Sequence, residues 1–564
     1  MVCGPNACGT SAQRLFWVLV AVMTACKLVF TATTADMGVD GGFYLDVARH
    51  VRDGDGLVSS ISLYHMGFPE FPHPSAIYPL WPLLLGYLGR LMPLTLLAAW
   101  LPSALYFVTL ALAYRWGTEQ TWERTFPAWL DGLHGGHLLV LLLGLNGSFF
   151  RYTSMPYADG LSFALLFAAL LRAHRRFTWP SLVGGLELGA WLALLVLARS
   201  QLVLVALAAA CALLWGLALS QARAAYLRMA LGTTVALIAV LMPQLLHIAS
   251  FADGHVLASL VRFDLAGPQS PLTPMSLIVP TTGVFDLLRD RLGGVWVAFA
   301  PSGRFKYAEI FYSAIYILPL ALGVGVLELT QRRREILGVL WRSAGDRDAP
   351  QRVLNWALAL GAFASLHLAH KAYFTEWHFA RRHAIPVVLL LLLTAVALLA
   401  SHRRWVRIAT AVLLVIGIVQ GAAAAVDRSV RSVRAAVADH PELAGRRALV
   451  TWVQNAAIQH ASRASSPLVV AVDSQEAQQI GWQLNGVGVH WVGEITGAED
   501  LTQLARHFRI QYLVLKKESV RRPDDTPPPF LTERQSLERL FVPLDTGLAD
   551  YDVYERRRAT LDTP

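Results

Sequence analysis

Asp40 opens the string Asp40-Gly41-Gly42-Phe43-Tyr44-Leu45-Asp46-Val47-Ala48-Arg49, which falls between the first two long apolar runs of a 564-residue chain. An acid at a membrane surface, partly shielded by lipid and aromatic rings, has its pKa pushed upward and can act as a general base. The bland alternative is that Asp40 caps a short helix beginning near Gly42, patterned on Tyr44, Val47, Ala48 and Val51, since Asp is among the best residues for that position. Asp46 lies about one and a half turns along the helix and can face a pocket or water. Asp53-Gly54-Asp55-Gly56 resembles an acidic metal-binding dipeptide only superficially, and a Gly-rich turn closing the helix explains it better. His65, Glu70 and His73 add polar groups without metal-ligand spacing, and His73-Pro74-Ser75-Ala76-Ile77-Tyr78-Pro79 carries the chain back toward lipid. Tyr44, Asp46, His73 and Tyr78 are therefore the side chains of this loop that could line a pocket beside Asp40.

An anionic substrate needs cations on the same side. Arg381 and Arg382, in Phe379-Ala380-Arg381-Arg382-His383-Ala384-Ile385-Pro386, stand directly before an apolar run that opens on proline. Their guanidinium forks suit a lipid phosphate at headgroup depth. Arg199, in Leu197-Ala198-Arg199-Ser200-Gln201, offers another positive group. Snorkelling to headgroups without a specific ligand accounts for all three equally well. Asp159, in Met155-Pro156-Tyr157-Ala158-Asp159-Gly160, lies inside an apolar run. A carboxylate there is costly unless paired or wet, so it belongs to a site or to an internal pair, with Arg151 and Tyr152 as neighbours able to partner it.

The elements that must position these residues follow from composition. A chain with 55% hydrophobic and 15% charged residues and a mean hydropathy of +0.45 is a polytopic α-helical membrane protein, not a string of soluble domains. Apolar runs of spanning length lie near 14–34, 94–115, 134–150, 156–172, 181–199, 201–220, 229–250, 311–330, 353–370, 385–401 and 405–426, about 11 transmembrane helices. The net charge of +9 is not the footprint of a nucleic-acid binder, because the basic residues collect in alternate connections. Arg115 and Arg124, then Arg172, Arg175 and Arg176, Arg223 and Arg228, Arg332 to Arg334, and Arg403, Arg404 and Arg407 mark the cytoplasmic loops. The N-terminus is then cytoplasmic, while the loop 35–93, the loop 371–384 and everything after about 427 are extracytoplasmic. Of the four cysteines, Cys3 and Cys8 lie at the N-terminus and Cys26 and Cys211 in apolar runs, so no disulfide framework or thiolate metal site is expected outside.

The composition divides the chain into a membrane part, 1–427, and an extracytoplasmic α/β domain, 428–564. Leu468-Val469-Val470-Ala471-Val472-Asp473, Val487-Gly488-Val489-His490-Trp491-Val492 and Gln511-Tyr512-Leu513-Val514-Leu515 predict buried strands, with helices near 434–462, 475–483 and 499–508 between them. Residues Asp550-Tyr551-Asp552-Val553-Tyr554 predict an edge strand, and no Gly-rich phosphate fingerprint follows any strand.

The string Asp40…Tyr44…Ala48-Arg49…Gly54…Gly56 resembles the first external loop of GT-C integral-membrane glycosyltransferases, in the branch of protein O-mannosyltransferases and aminoarabinose transferases. His73-Pro74…Tyr78-Pro79-Leu80, Pro156-Tyr157-Ala158-Asp159, Ala198-Arg199-Ser200 and Arg381-Arg382-His383-Ala384-Ile385-Pro386 are similar to later family strings, in family order. The resemblance implies a polyprenyl-phosphate-linked sugar as donor, Asp40 as catalytic base toward an acceptor hydroxyl, and Arg382, Arg381 and Arg199 as groups for the departing phosphate. It implies an inverting transferase at the outer face of a bacterial inner membrane, acting on an acceptor glycan, lipid or protein among the membrane lipids. Where the family usually has a second acid this chain has Gly41, which argues against a two-carboxylate or metal-assisted reaction, so no cofactor is expected. A lipid or sugar transporter or flippase, and a catalytically inactive binding protein of the same fold, are the alternative readings.

Overall fold

The computed structural model describes residues 11–34, 37–63, 66–119, 133–199, 202–219, 222–252, 256, 398–399, 403–438, 441–474, 476–492, 498–518 and 534–557. The expected spans near 311–330 and 353–370, most of that near 385–401, and Arg381 and Arg382 lie outside these residues.

Four helices among the described residues are long and apolar enough to cross a bilayer: α1 (Ser11–Thr33), α4 (Leu94–Glu119), α10 (Arg223–Ala249) and α11 (Arg404–Val437). The membrane part also contains α7 (Asp159–Thr178), α8 (Leu182–Ala198) and α9 (Val203–Leu219). The apolar run expected as one span near 134–150 is broken into α5 (Gly135–Gly144) and α6 (Gly147–Tyr152). Asn146 causes the break: its side chain accepts from Phe149 N at 2.9 Å and starts a new helix. The first loop supplies α2 (Val39–Asp53), β1 (Val58–Ser59), β2 (Ile61–Leu63), β3 (His73–Pro74) and α3 (Leu80–Leu88).

One end of the bundle is tied by ion pairs between helices. Arg175 bridges α7 to Glu119 of α4 at 3.1 Å, and Arg172 reaches Glu187 of α8 at 3.4 Å. Asp159, at the start of α7, is about 24 Å from Arg175 along the helix axis at roughly 1.5 Å per residue. The loop of Asp40 therefore sits at the end opposite these arginines. Helices α8 and α10 cross backbone to backbone, because Gly185 and Gly189 lie against the carbonyls of Met229 and Thr233.

The C-terminal part contributes α12 (Pro441–Ala461), β4 (Leu468–Val472), α13 (Glu476–Gly481), β5 (Val487–Trp491), α14 (Ala498–His507), β6 (Tyr512–Lys516), α15 (Arg534–Leu540), β7 (Phe541–Leu544) and β8 (Tyr551–Arg556). Its sheet runs β2-β5-β4-β6-β8-β7, with the first four strands parallel and the last two antiparallel additions. Two differences from expectation stand out. The strand containing Tyr551 and Tyr554 is interior, paired on both sides, and β7 forms the edge. The sheet also recruits β2 from the first loop, where Ile61, Ser62 and Leu63 align with Val489, His490 and Trp491. Helix α11 continues through the expected boundary at 427/428, so Arg428 and Ser429 belong to a membrane helix.

Candidate active site

Helix α2 forms where the apolar spacing expects it, and its buried face is Tyr44, Leu45, Val47, Ala48 and Val51. The helix starts earlier than Gly42. Gly38 holds the cap position with φ 63, a backbone conformation that L side chains rarely adopt, and Asp40 lies inside the first turn. Asp40 is thus not the cap residue. Its carboxylate sits half-buried at the positive end of the helix dipole.

Three glycines let neighbouring chain crowd the Asp40 turn. A Cβ on Gly41 would come 2.8 Å from Pro156 Cγ, and one on Gly38 would run into the hydroxyl of Tyr157. A Cβ on Gly42 would strike the carbonyl oxygen of Gln478, so α13 of the C-terminal part lies directly on α2. The place that a side chain at position 41 would take is filled by the ring of Pro156. The same segment is tied to α3, since Trp81 Nε1 donates to Pro156 O at 2.8 Å. Tyr44, Tyr157, Leu161 and Ala198 share one buried cluster, with Tyr78 and Trp482 packed against it.

The other expected site residues divide into two groups. Asp159 forms a buried ion pair with Arg199, which is 5% exposed, so each answers the other's charge. Tyr152 stacks on Tyr157 at 5.9 Å, while Arg151 lies over the Tyr152 ring at 5.8 Å. Arg199 is thus a partner of Asp159. This group adjoins Asp40 through Pro156 and Tyr157.

Asp46 and His73 belong to a separate, internal group. Asp46 is 0% exposed and accepts from Arg49 Nη2 at 2.6 Å, Ser59 Oγ at 2.8 Å and Ser60 N at 2.6 Å. With every one of those contacts internal, Asp46 pins α2 to the strand segment and does not face a pocket or water. His73 stacks flat on Phe68 at 4.9 Å, and its two ring nitrogens face the carbonyls of Pro74 and Ile61 at 3.0 Å each. Burial pushes its pKa below the ordinary 6.5. His73 is a packing residue of the loop, so the pocket expectation for Asp46 and His73 is corrected. The acids after the helix have partners of their own: Asp53 meets Arg52 at 2.8 Å and Asp55 meets His50 at 2.8 Å. Gly54 closes α2 in the left-handed conformation with its N–H on His50 O, as a turn requires.

Arg49 extends the pin outward. It donates to Asn485 Oδ1 at 2.8 Å and to the carbonyl of Leu484, both in the C-terminal part. His507 Nε2 meets Gly67 O at 2.8 Å, and the ring of Phe71 fills the space over Gly488. The first loop and the sheet are one packed unit.

Lys27 was invisible to the sequence argument. It is fully buried in α1, where Nζ donates to Phe150 O at 2.7 Å, Thr153 Oγ1 at 2.9 Å and Ser154 Oγ at 2.6 Å, with the Tyr106 ring 4.5 Å away. Arg428 donates to the carbonyl of Gly147 beside it. Together they hold the broken α5–α6 segment that leads into Pro156. A lone lysine inside an apolar run was the available signal.

No family model matches the chain, and no curated protein matches it. Among solved structures it is similar to ArnT from Cupriavidus metallidurans in the apo state, with a TM-score of 0.45 and 11% identity over 98% of this chain and 100% of that one. It is also similar to ArnT from the same organism bound to undecaprenyl phosphate, with a TM-score of 0.43 and 11% identity over the same shares.

Proposed function

We propose that this protein is an inverting glycosyltransferase that moves a sugar from a polyprenyl phosphate to an acceptor hydroxyl at the outer face of a bacterial inner membrane. The observation that carries the reading is the placement of Asp40: a carboxylate in the first turn of a helix that Pro156, Tyr157 and Gln478 crowd and the Asp46–Arg49 pair anchors. A base held in one orientation loses little freedom when the acceptor arrives, which lowers the barrier through positioning. Asp40 takes the proton of the acceptor hydroxyl, and that oxygen attacks the anomeric carbon from the face opposite the phosphate. The bond between carbon and phosphate oxygen breaks, its electron pair leaving with polyprenyl phosphate, so the configuration inverts.

The developing negative charge on the phosphate needs cations. Arg381 and Arg382 are the proposed source, and Arg199 joins them only by exchanging Asp159 for phosphate. The single carboxylate and the steric closure at Gly41 support a reaction without a metal ion. The C-terminal sheet, sharing β2 with the first loop, would cover the acceptor.

Asp40→Asn tests the assignment by mass spectrometry of glycolipids and polyprenyl-phosphate sugars in cells. The expected result is a folded protein, loss of one glycoside and build-up of its lipid-linked donor. Continued formation of that glycoside would sink the assignment.

A further inference from the structure

Lys27 stands six residues before the end of α1, near enough to the first loop for a lysine to snorkel toward headgroups. It does not, because the residue is 0% exposed. A buried cation in a membrane helix is costly, and a methionine of similar length would sit there without that cost, so the contacts of Lys27 must account for it. Its Nζ carries three N–H donors and makes three hydrogen bonds, to Phe150 O at 2.7 Å, Thr153 Oγ1 at 2.9 Å and Ser154 Oγ at 2.6 Å. All three acceptors fall within residues 150–154, where α6 ends, so one side chain fixes the exit of that helix. Arg428 fixes its start through the carbonyl of Gly147.

Only Met155 separates this turn from Pro156 and Tyr157. Those two rings meet Gly41 and Gly38, the glycines on either side of Asp40: a Cβ on Gly41 would lie 2.8 Å from Pro156 Cγ, and one on Gly38 would run into the Tyr157 hydroxyl. Trp81 Nε1, which donates to Pro156 O at 2.8 Å, is a second tether on the same segment. With no side chain at either glycine to take up the contact, a displacement of residues 150–154 passes to the first turn of α2. We propose that Lys27 is a positioning residue: by fixing residues 150–154 it sets where Pro156 and Tyr157 press on α2, and so which way the Asp40 carboxylate faces. The proposal rests on the reading of Asp40 as the base. Lys27 acts through this segment and does not itself touch substrate. A misplacement of about 1 Å, arising far from the chemistry, is enough to cost about a hundredfold in rate.

Fluorine NMR on the full-length protein in phospholipid nanodiscs tests this, with 3-fluorotyrosine introduced at position 157 and, as a control, at position 226, where the hydroxyl of Tyr226 meets Phe177 O. In Lys27→Met the resonance from position 157 should shift or split, while that from position 226 stays in place. Transfer is followed in membranes, with the lipid-linked sugar that builds up in Asp40→Asn cells as donor. The kcat of Lys27→Met should fall about ten- to a hundredfold, with the KM for donor within about twofold of that of the unaltered chain. An unmoved resonance from position 157, equal disturbance at both positions, or an undiminished kcat would overturn the proposal, the second meaning that Lys27 only stabilises the bundle. Should Lys27→Met fail to fold, Ser154→Ala, which removes one of the three acceptors, decides by the same measurements. The two readings fail separately: glycoside formation in Asp40→Asn removes the base, and an unmoved resonance from position 157 in Lys27→Met removes the positioning residue.

Discussion

At the scale of the residue, two acids of one short helix have opposite fates. Asp40 is left half-buried, while Asp46, six positions on, spends its whole capacity on Arg49, Ser59 and Ser60. Sequence periodicity places both on α2, but the strand segment that claims Asp46 arrives from a turn whose path no local pattern encodes. His73 carries a measurable consequence. Burial lowers its folded pKa below 6.5, so the unfolded chain binds this proton first as pH falls. Stability from His73 is fully present above about 6.5 and is lost as pH drops from there toward the folded value, with a slope of at most about 1.4 kcal/mol per pH unit. Thermal melts from pH 7.5 to 5 should show the unaltered chain losing more melting temperature than His73→Gln. Parallel curves would mean that His73 does not couple to folding.

At the scale of the element, α2 is aligned by what it lacks. Gly41→Asp would put a second acid beside Asp40, yet the new side chain meets the Pro156 ring 2.8 Å away. Overpacking of that kind costs about 1–3 kcal/mol. The expected outcome is reduced transfer and a lower melting temperature, and a gain in activity would show that the acid is tolerated and useful. Gly42→Ala should be worse, because its neighbour is a backbone carbonyl that cannot rotate away. A parallel assay of kcat and of the melting temperature in both variants separates the two. Helix α2 itself was legible from Tyr44, Val47, Ala48 and Val51, and so were strands β4, β5 and β6 from their unbroken apolar runs. Its first residue was not legible, since a glycine cap depends on Tyr157 closing over it from more than a hundred residues away. The break at Asn146 was hidden for a different reason: an apolar average over the run outweighs one capping side chain.

At the scale of the whole molecule, charge asymmetry along the chain places Arg115 and Arg172 to Arg176 at one end, and the Arg175–Glu119 and Arg172–Glu187 pairs show the ends of α4, α7 and α8 gathered there. What charge and hydropathy could not foretell is that the first loop completes the last domain. Removing residues 441–557 should strip α2 of its contacts with Gln478 and Leu484 and leave β2 without β5. Limited proteolysis of such a truncated chain should cut between Gly54 and Pro79 faster than it does in the full chain, and glycoside formation should cease. Resistance to cutting would mean that the loop folds without the sheet. The shared strand also sets a clock. Arg49 and Leu484 stand 435 residues apart, so at roughly 5–20 residues per second a ribosome needs about 20–90 s between making α2 and making the surface that seats it. Throughout that interval α2 lacks the surface it packs on, so the first loop reaches its final arrangement only when synthesis is nearly complete.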